Sequence, residues 1–358
     1  MKTRRLIAAV HILIAVAFLG AAKLATGATA DATNNEPPRV RNSHEPQVPL
    51  TKPLSGTVRY RWEHVENKSV ALIGPCGVVW QFNFGTDLAK PYFHPLQTAD
   101  GHCLTWVSPR DHVWHYALWH SWKFINGVNY WEENPNTRRS EGTSKITKVD
   151  VKFSNETGAR IKVHLAYFAT DKPDEIVMEE AIELAVEMPR EDGSYRIDWS
   201  QVSSPKQTVV LDRTPPPGKK DGVAWGGYAG LSFRGSRFLA EVTATQGSGK
   251  TGMDGNRQRA EWHNMAGKVD GKPVGITIFD HPSNPGHPTV WYYLMQSVIS
   301  EKAPWPFWYM NAAIVHDGPI ELNRGQLLAL RYLVRIDGGI VPVSSLKEEY
   351  KQFSAIQP

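Results

Sequence analysis

The sequence predicts an all-β protein, a large antiparallel two-sheet sandwich with a short C-terminal helix. Apolar and polar residues alternate with the period of two that is typical of half-buried strands, as in residues 161–167, 195–199 and 328–336. Turn dipeptides such as Asn-Gly and Asp-Gly separate these runs, and roughly sixteen to twenty strands follow from the pattern. No linker divides the series near its middle, so one domain is preferred over two smaller sandwiches in tandem.

The N-terminus is typical of a bacterial export signal. Arg4 and Arg5 precede an apolar run over residues 6–22, and small residues lead up to Ala30. We therefore expect a signal peptide over residues 1–30 and a periplasmic or secreted protein. An uncleaved membrane anchor is the alternative.

Charge and cysteine content narrow the expected partners. Removing the signal lowers Lys plus Arg from 40 to 36, against 36 Asp plus Glu, so the mature chain is formally neutral. Neither nucleic acid nor a membrane surface is therefore an expected partner, and no later segment approaches the ~20 apolar residues that span a bilayer. Cys76 and Cys103 could form one disulfide in an exported protein, but their spacing excludes a zinc ribbon.

Three further regions follow the signal. Residues 31–55 are rich in Pro, Asn and charge and are predicted to be a flexible linker. The sandwich is expected over residues 56–343. Within it, the polar loop 213–222 is placed to form a rim or lid over a site.

The C-terminal segment 344–358 carries the helix. Ser345 and Glu348 have the spacing of a capping box, which predicts where the helix begins. One side of this helix is predicted to be apolar, with Leu346, Tyr350 and Phe353.

Residues 102–133 hold five Trp and four His, a density that favours a site for a polar, ring-shaped ligand such as a sugar. Imidazoles exchange protons near neutral pH, and Trp faces stack on rings. A strand over residues 115–122 would place His115 and Trp119 on one face and His120 and Trp122 on the other. His112 then converges with His115 only if the chain bends between them. A Trp-rich core with buried His is the structural alternative.

The segment 127–133 adds two carboxylates. Strand alternation would separate Glu132 from Glu133, and a carboxyl beside a Trp in a dry pocket has a raised pKa that suits a general acid. Glu133 is instead expected to be an exposed residue at a strand end.

A rigid turn with three prolines follows the predicted strand over residues 274–279. It would hold four polar side chains in place: Asp280, His281, Asn284 and His287. Rigid polar loops at strand ends often carry sites, and the alternative is a prolyl turn with capping Asp and Asn.

Glycines lead into a further strand over residues 226–234, where they indicate close backbone approach or a bulge. Arg234 projects from that strand. A phosphate loop is disfavoured because no helix follows the glycines, and the motifs of serine hydrolases, zinc peptidases and dinucleotide-binding proteins are absent.

Three segments together resemble the PmoA-like family of secreted bacterial proteins, labelled "methane oxygenase PmoA". They are residues 91–133, 226–234 and 271–293, and the resemblance covers roughly residues 55–340. It implies a galactose-mutarotase-like supersandwich and a role in carbohydrate metabolism or polysaccharide degradation. It does not imply methane oxidation, because the membrane subunit of that name has several membrane spans.

These observations favour an exported glycosidase or lyase-like enzyme that hydrolyses, eliminates or epimerises a glycoside or keto sugar by acid–base chemistry. The alternatives are a non-catalytic carbohydrate-binding protein and a mononuclear metal enzyme. The candidate catalytic residues are Asp111, His112, His115, Glu132, Asp280 and His281. The candidate substrate-binding residues are Arg110, Trp119, Trp122, Trp131, Tyr228, Arg234, Asn284 and His287. No cofactor is expected, although His112, His115 and His281 (or His287) could hold a divalent metal.

Overall fold

The computed structural model describes residues 60–169 and 172–357, so the predicted signal peptide and linker lie outside the described residues. The described chain forms 21 strands and one helix. They are β1 (Arg61–Val65), β2 (Ser69–Gly74), β3 (Gly77–Asn83), β4 (Tyr92–Leu96), β5 (Leu118–Ser121), β6 (Phe124–Ile125), β7 (Val128–Asn129), β8 (Thr143–Ser154), β9 (Gly158–Phe168), β10 (Ile176–Val186), β11 (Tyr195–Pro205), β12 (Val209–Asp212), β13 (Gly230–Arg234), β14 (Ala240–Gln246), β15 (Gln258–Arg259), β16 (Trp262–Val269), β17 (Lys272–Asp280), β18 (Val290–Gln296), β19 (Phe307–Ala312), β20 (Ile320–Leu322), β21 (Leu328–Asp337) and α1 (Val343–Ser354).

The strands form three antiparallel sheets. The nine-stranded sheet has the order β1-β2-β3-β4-β5-β13-β19-β18-β15, and the eight-stranded sheet has the order β14-β16-β17-β21-β11-β10-β9-β8. A small four-stranded sheet, β20-β12-β6-β7, is an addition to the predicted two. The all-β class and the sandwich are confirmed.

The main core lies between the inner faces of the two large sheets. Alternate residues of β19 point to opposite faces of its sheet. Trp308 and Met310 point into this core, whereas Phe307 and Tyr309 belong to a separate cluster on the outer face of the nine-stranded sheet. The three alternating runs predicted from the sequence are β9, β11 and β21, and their apolar residues are buried as expected.

Helix α1 packs on the outer face of the eight-stranded sheet. Leu346 and Phe353 are buried there, with Tyr350 partly buried beside them, as predicted. The predicted capping box is wrong, because the helix begins at Val343 and its N-cap is Pro342, with no side-chain cap.

Two predicted turns have the positive φ angles that favour glycine. Asn126-Gly127 joins β6 to β7, and Asp270-Gly271 joins β16 to β17. Cys76 and Cys103 are both free thiols. Within the described residues, no helix combines the length and apolar character needed to cross a membrane.

Candidate functional site

The outer face of the nine-stranded sheet carries an aromatic layer, here called the aromatic floor. Strands β5, β18 and β19 each point aromatic side chains to this face because their alternate residues fill the main core. The floor consists of Tyr116, Trp119, Trp131, Tyr292, Phe307 and Tyr309, all buried. Loops from between the strands cover it and bring polar groups to its edges.

Asp111 is the centre of a polar cluster at one end of the floor. Its Oδ2 accepts hydrogen bonds from His112 Nδ1 at 2.7 Å and from Arg234 Nη2 at 2.9 Å, and its Oδ1 accepts one from Trp305 Nε1 at 2.7 Å. Partial burial alone would raise the pKa of Asp111, but the hydrogen bond from His112 and the charge of Arg234 hold it below its ordinary value. Asp111 is therefore ionised at neutral pH.

His112 lies where this cluster meets the solvent, with 34% of its side chain exposed. Its ring centroid is 4.6 Å from that of His115 and 4.8 Å from that of Phe307. Two consecutive turns bend the chain here, since His112 N donates to Pro109 O and His115 N donates to His112 O, each at 3.0 Å. The chain therefore bends between His112 and His115, which is the condition that the sequence sets for the two rings to converge.

His115 lies beneath His112 and is buried. Its ring stacks on Tyr309 at 5.1 Å, and its Nδ1 has no hydrogen-bond partner among the described residues. Burial, together with the nearby charge of Arg234, lowers its pKa well below the ordinary value. The imidazole is therefore neutral at physiological pH.

Arg234 is fully buried at the end of β13. Its guanidinium carbon lies 3.8 Å from the centroid of the Phe307 ring, and its Nε and Nη1 have no partner within the described part of the chain. Burial lowers its pKa to about 10 although Asp111 opposes the shift, so the group stays cationic at neutral pH. Arg234 thus has unused donors beside the Asp111–His112 pair.

A second polar cluster surrounds Glu132, beside Trp131. Glu132 Oε1 accepts from Tyr228 Oη at 2.6 Å, and its Oε2 pairs with the buried Lys123 and accepts from Asn129 Nδ2 at 2.7 Å. Burial alone would raise the pKa of Glu132, but the charge of Lys123 and these hydrogen bonds hold it below its ordinary value. A base held this firmly is a weak proton acceptor, and the raised pKa expected for a general acid is not found.

The side chain of Glu133 points away from that of Glu132 and is buried, so the prediction that Glu133 is exposed is wrong. Lys90 Nζ lies 2.9 Å from its Oε1, and Tyr116 Oη donates to it at 2.8 Å. Because Lys90 also donates to Trp131 O at 2.8 Å, the pair fixes the segment that supplies Trp131 to the floor.

The three predicted stacking tryptophans differ in position. Trp119 and Trp131 belong to the floor but are buried, so neither offers a free face to a ligand. Trp122 lies in the main core, where its Nε1 donates to Glu180 Oε2 at 2.9 Å. Its predicted contact with a ligand is wrong, because strand alternation points it away from Trp119.

The proline-rich turn after β17 does not join this site. His281 packs on Phe353 of α1, with ring centroids 5.0 Å apart, and its Nε2 donates to Ile356 O at 2.9 Å. His281 thus lies on the outer face of the eight-stranded sheet, whereas His115 lies on the outer face of the other sheet. The expectation that His112, His115 and His281 converge is wrong.

The other polar residues of this turn bond to one another and to neighbouring strands. Asp280 Oδ2 accepts from His287 Nδ1 at 2.8 Å and from Thr289 N at 2.9 Å, and its Oδ1 accepts from Asn284 Nδ2 at 2.7 Å. His287 Nε2 contacts Tyr350 Oη at 3.1 Å. The segment is the prolyl turn with capping Asp and Asn, and it fastens the C-terminal helix to the sheet.

The same geometry keeps the three histidines predicted as metal ligands from converging. Among residues 60–169 and 172–357, no group of three or more His, Cys, Asp or Glu is placed to hold a metal ion. His112 and His115 lack His281 as a third ligand, and both nitrogens of His281 bond within the protein.

Several residues of the site were not predicted. The aromatic run 305–309 supplies Trp305 to Asp111 and two rings to the floor, and its density was the signal that could have revealed it. Lys90 and Lys123 gave no such signal, because an isolated Lys is typical of a surface. Arg110, a predicted ligand contact, is exposed.

The chain is similar to several solved structures. A TPR-domain containing protein from Parabacteroides distasonis is 13% identical with a TM-score of 0.30; the match covers 78% of this chain, which spans about half (47%) of that protein. A galactose mutarotase related enzyme from Lactobacillus acidophilus is 9% identical with a TM-score of 0.31, covering 78% of this chain and 98% of that one. The Slr1438 protein from Synechocystis sp. PCC 6803 is 10% identical with a TM-score of 0.33, covering 81% and 97%.

No curated protein matches the sequence. A family model does match, over residues 77–351, a range that holds the whole aromatic floor and both polar clusters at its edges. The chain therefore belongs to this family, the family of unknown function DUF6807.

Proposed function

We propose that this protein is an exported carbohydrate-active enzyme in which His112 is the general base. The observation that carries the proposal is the Asp111–His112 pair. Asp111 accepts from His112 Nδ1 at 2.7 Å, which assigns the proton to Nδ1 and leaves the Nε2 lone pair on a partly exposed ring. A carboxylate that orients an imidazole in this way prepares it to take a proton from a substrate.

Arg234 supports a substrate with a carbonyl or carboxylate group. A buried guanidinium with two unpaired nitrogens is costly, and an oxygen of a keto sugar or uronate would satisfy them. His112 would then remove a proton from the carbon next to the carbonyl, and Arg234 would stabilise the enolate oxygen that receives the electron pair. In elimination, the enolate expels the substituent on the next carbon, and the departing oxygen takes the proton from His112. In epimerisation, a water molecule protonates the enolate on its other face, and His112 releases its proton to solvent. Since these nitrogens are buried, substrate entry requires the covering side chains to shift.

The remaining candidates receive different roles under this proposal. His115 is neutral and buried, so we assign it to packing beneath His112 rather than to proton transfer. Glu132 and Tyr228 form a polar edge that can hold sugar hydroxyls, since Tyr228 is only partly buried. Asp280, His281, Asn284 and His287 stabilise the fold and take no part.

Export rests on the basic and apolar residues of the first 30 positions and on the resemblance to PmoA-like secreted proteins. N-terminal sequencing of protein purified from the periplasm or medium of a bacterial host tests it. A mature N-terminus at Asp31 is expected, and protein retained with Met1 would contradict it.

The enzymatic proposal is tested with uronate-containing oligosaccharides, 3-keto glycosides and matched neutral glycosides. We expect turnover of the carbonyl or carboxylate substrates, and a loss of about 10²–10⁴-fold in kcat/KM for His112→Gln with an unchanged melting temperature. His281→Gln is the matched control and should keep its turnover. If His112→Gln binds and converts these compounds like the parent protein, the acid–base role is wrong. Binding without turnover in either protein would favour the carbohydrate-binding alternative.

A further inference from the structure

Trp225 is an exposed aromatic residue in the loop between β12 and β13. Among the tryptophans of residues 60–169 and 172–357 it alone is exposed, at 52%. A single exposed apolar side chain is ordinary on a protein surface and indicates nothing by itself. The way this one is held is the informative feature.

The backbone on both sides of Trp225 is fixed by one side chain. Arg257 Nη2 donates to Ala224 O at 2.6 Å, and Arg257 Nη1 donates to Gly226 O at 2.7 Å. Gly226 is packed so closely that a Cβ would lie 2.0 Å from Pro215 O. The indole is therefore presented to solvent on a rigid support, which lowers the entropy lost when a ligand stacks on it.

Trp225 lies at the edge of the buried aromatic floor, next to the partly buried Tyr228. Its ring centroid lies 6.5 Å from that of Tyr228, which lies 5.0 Å from that of Trp131 and 6.1 Å from that of Tyr292. Tyr228 in turn donates to Glu132. The rings thus run from the floor, past a polar edge that can bind hydroxyls, to an open indole.

We infer that Trp225 is a stacking platform for a second sugar ring, and hence that the substrate is a glycoside of at least two rings rather than a monosaccharide. The apolar C–H face of a pyranose packs on an indole, and its hydroxyls remain free for neighbours such as Tyr228. The inference rests on the proposed function, because it names the substrate class of the same site.

Binding of a ladder of ligands by calorimetry tests it, with galacturonic acid and its di- and trimers, and with glucose, cellobiose and cellotriose. We expect the parent protein to bind the two-ring member of one series about tenfold more tightly than its monomer. Trp225→Ala should lose this gain and leave monomer affinity unchanged, and Trp225→Phe should keep part of it. Phe238→Ala removes an aromatic residue that is 59% exposed elsewhere and should behave like the parent protein.

The outcomes separate the two proposals. Equal affinity for one and two rings in the parent protein, or an unchanged gain in Trp225→Ala, overturns the role of Trp225 and leaves the proposed function standing. If none of the six compounds binds at millimolar concentration and the panel of uronates and keto glycosides is not turned over, the proposed function fails, and this inference with it. Light scattering tests one further alternative. If the parent protein is a dimer and Trp225→Ala is a monomer, Trp225 belongs to an interface between copies of the chain, and its role as a stacking platform is wrong.

Discussion

Two histidine–aspartate clusters of this protein share the same hydrogen bond and differ in whether their other polar atoms have partners. In both, a buried or partly buried carboxylate accepts from an imidazole Nδ1, at 2.7 Å from His112 to Asp111 and at 2.8 Å from His287 to Asp280. The other nitrogen of His287 contacts Tyr350, whereas the ring of His112 is partly exposed and the Arg234 beside it has two unpaired nitrogens.

This difference teaches how to separate a structural polar cluster from a candidate site. Burying a polar group destabilises a protein unless the group is hydrogen-bonded. A cluster in which every donor and acceptor has a partner is therefore explained by its contribution to the fold. A cluster with unused buried donors needs another explanation, and a ligand is one that experiments can test. Mutations that perturb stability in one cluster and leave it unchanged in the other are therefore the sharpest probes.

The largest effect on stability is expected for Asp280→Ala. The substitution leaves donors from Asn284, His287 and Thr289 without their acceptor in a fully buried place, which costs about 4 kcal/mol of unfolding free energy. Thermal unfolding should show a melting temperature lower by roughly 10 °C. Turnover at a temperature where the variant is folded should persist. A stable Asp280→Ala protein without activity would move this cluster into the mechanism.

Glu180 sharpens the comparison, because donors satisfy it but no charge offsets its burial: His120 Nδ1 lies 3.9 Å from Glu180 Oε1, and burial lowers the pKa of His120 to about 3, so this imidazole is neutral. Its carboxylate accepts from Trp122 Nε1 at 2.9 Å and from Ser203 Oγ at 3.0 Å in the main core. Burial raises its pKa to about 7 although these hydrogen bonds oppose the shift. The folded protein therefore keeps this proton to a higher pH than the unfolded chain does.

Stability should consequently fall as the pH rises. The protonated carboxyl of Glu180 contributes about 3 kcal/mol to the free energy of unfolding. This contribution is fully present below the ordinary pKa of 4.5 and is lost as the pH rises through about 7. Glu180→Gln cannot ionise and should remove this part of the pH dependence. Denaturant unfolding at pH 4, 6 and 8 measures it, with Glu179→Gln as the exposed neighbouring control. Parallel curves for the parent and Glu180→Gln proteins would contradict a buried, titrating carboxyl.

The fold could be predicted from the sequence because strand alternation is a local property. Tyr195, Ile197 and Trp199 alternate with polar residues and are buried as their spacing requires. The four-stranded sheet was missed because β6, β7 and β20 have only two or three residues each, too few to show a period. The prediction of a capping box at Ser345 is wrong because the extended chain ends at Pro342, and the helix has already begun at Val343.

Single residues of the site could be predicted from the sequence, but their arrangement could not. Asp111, His112 and Arg234 were all candidates, whereas Trp305 was not, and the contacts that join Arg234 and Trp305 to Asp111 depend on the packing of distant strands and loops. The turn after β17 was misassigned for a related reason. A rigid polar loop has the same composition whether it faces a ligand or a helix, and only the packing of α1 distinguishes the two.

The smallest effect is expected for His281→Ala, which tests whether the proline-rich turn does no more than fasten α1. The variant loses the hydrogen bond from His281 Nε2 to Ile356 O and the contact with Phe353, so we expect a cost of about 1 kcal/mol, confined to the C-terminal helix. Hydrogen exchange should become faster in residues 343–354 and stay unchanged in β19 and the rest of the nine-stranded sheet. Ser283→Ala removes only the partner of Nδ1 and should have a weaker effect on the same amides. Unchanged exchange in α1 combined with lost turnover would show that His281 acts on the substrate, and the separation of the two clusters would then be wrong.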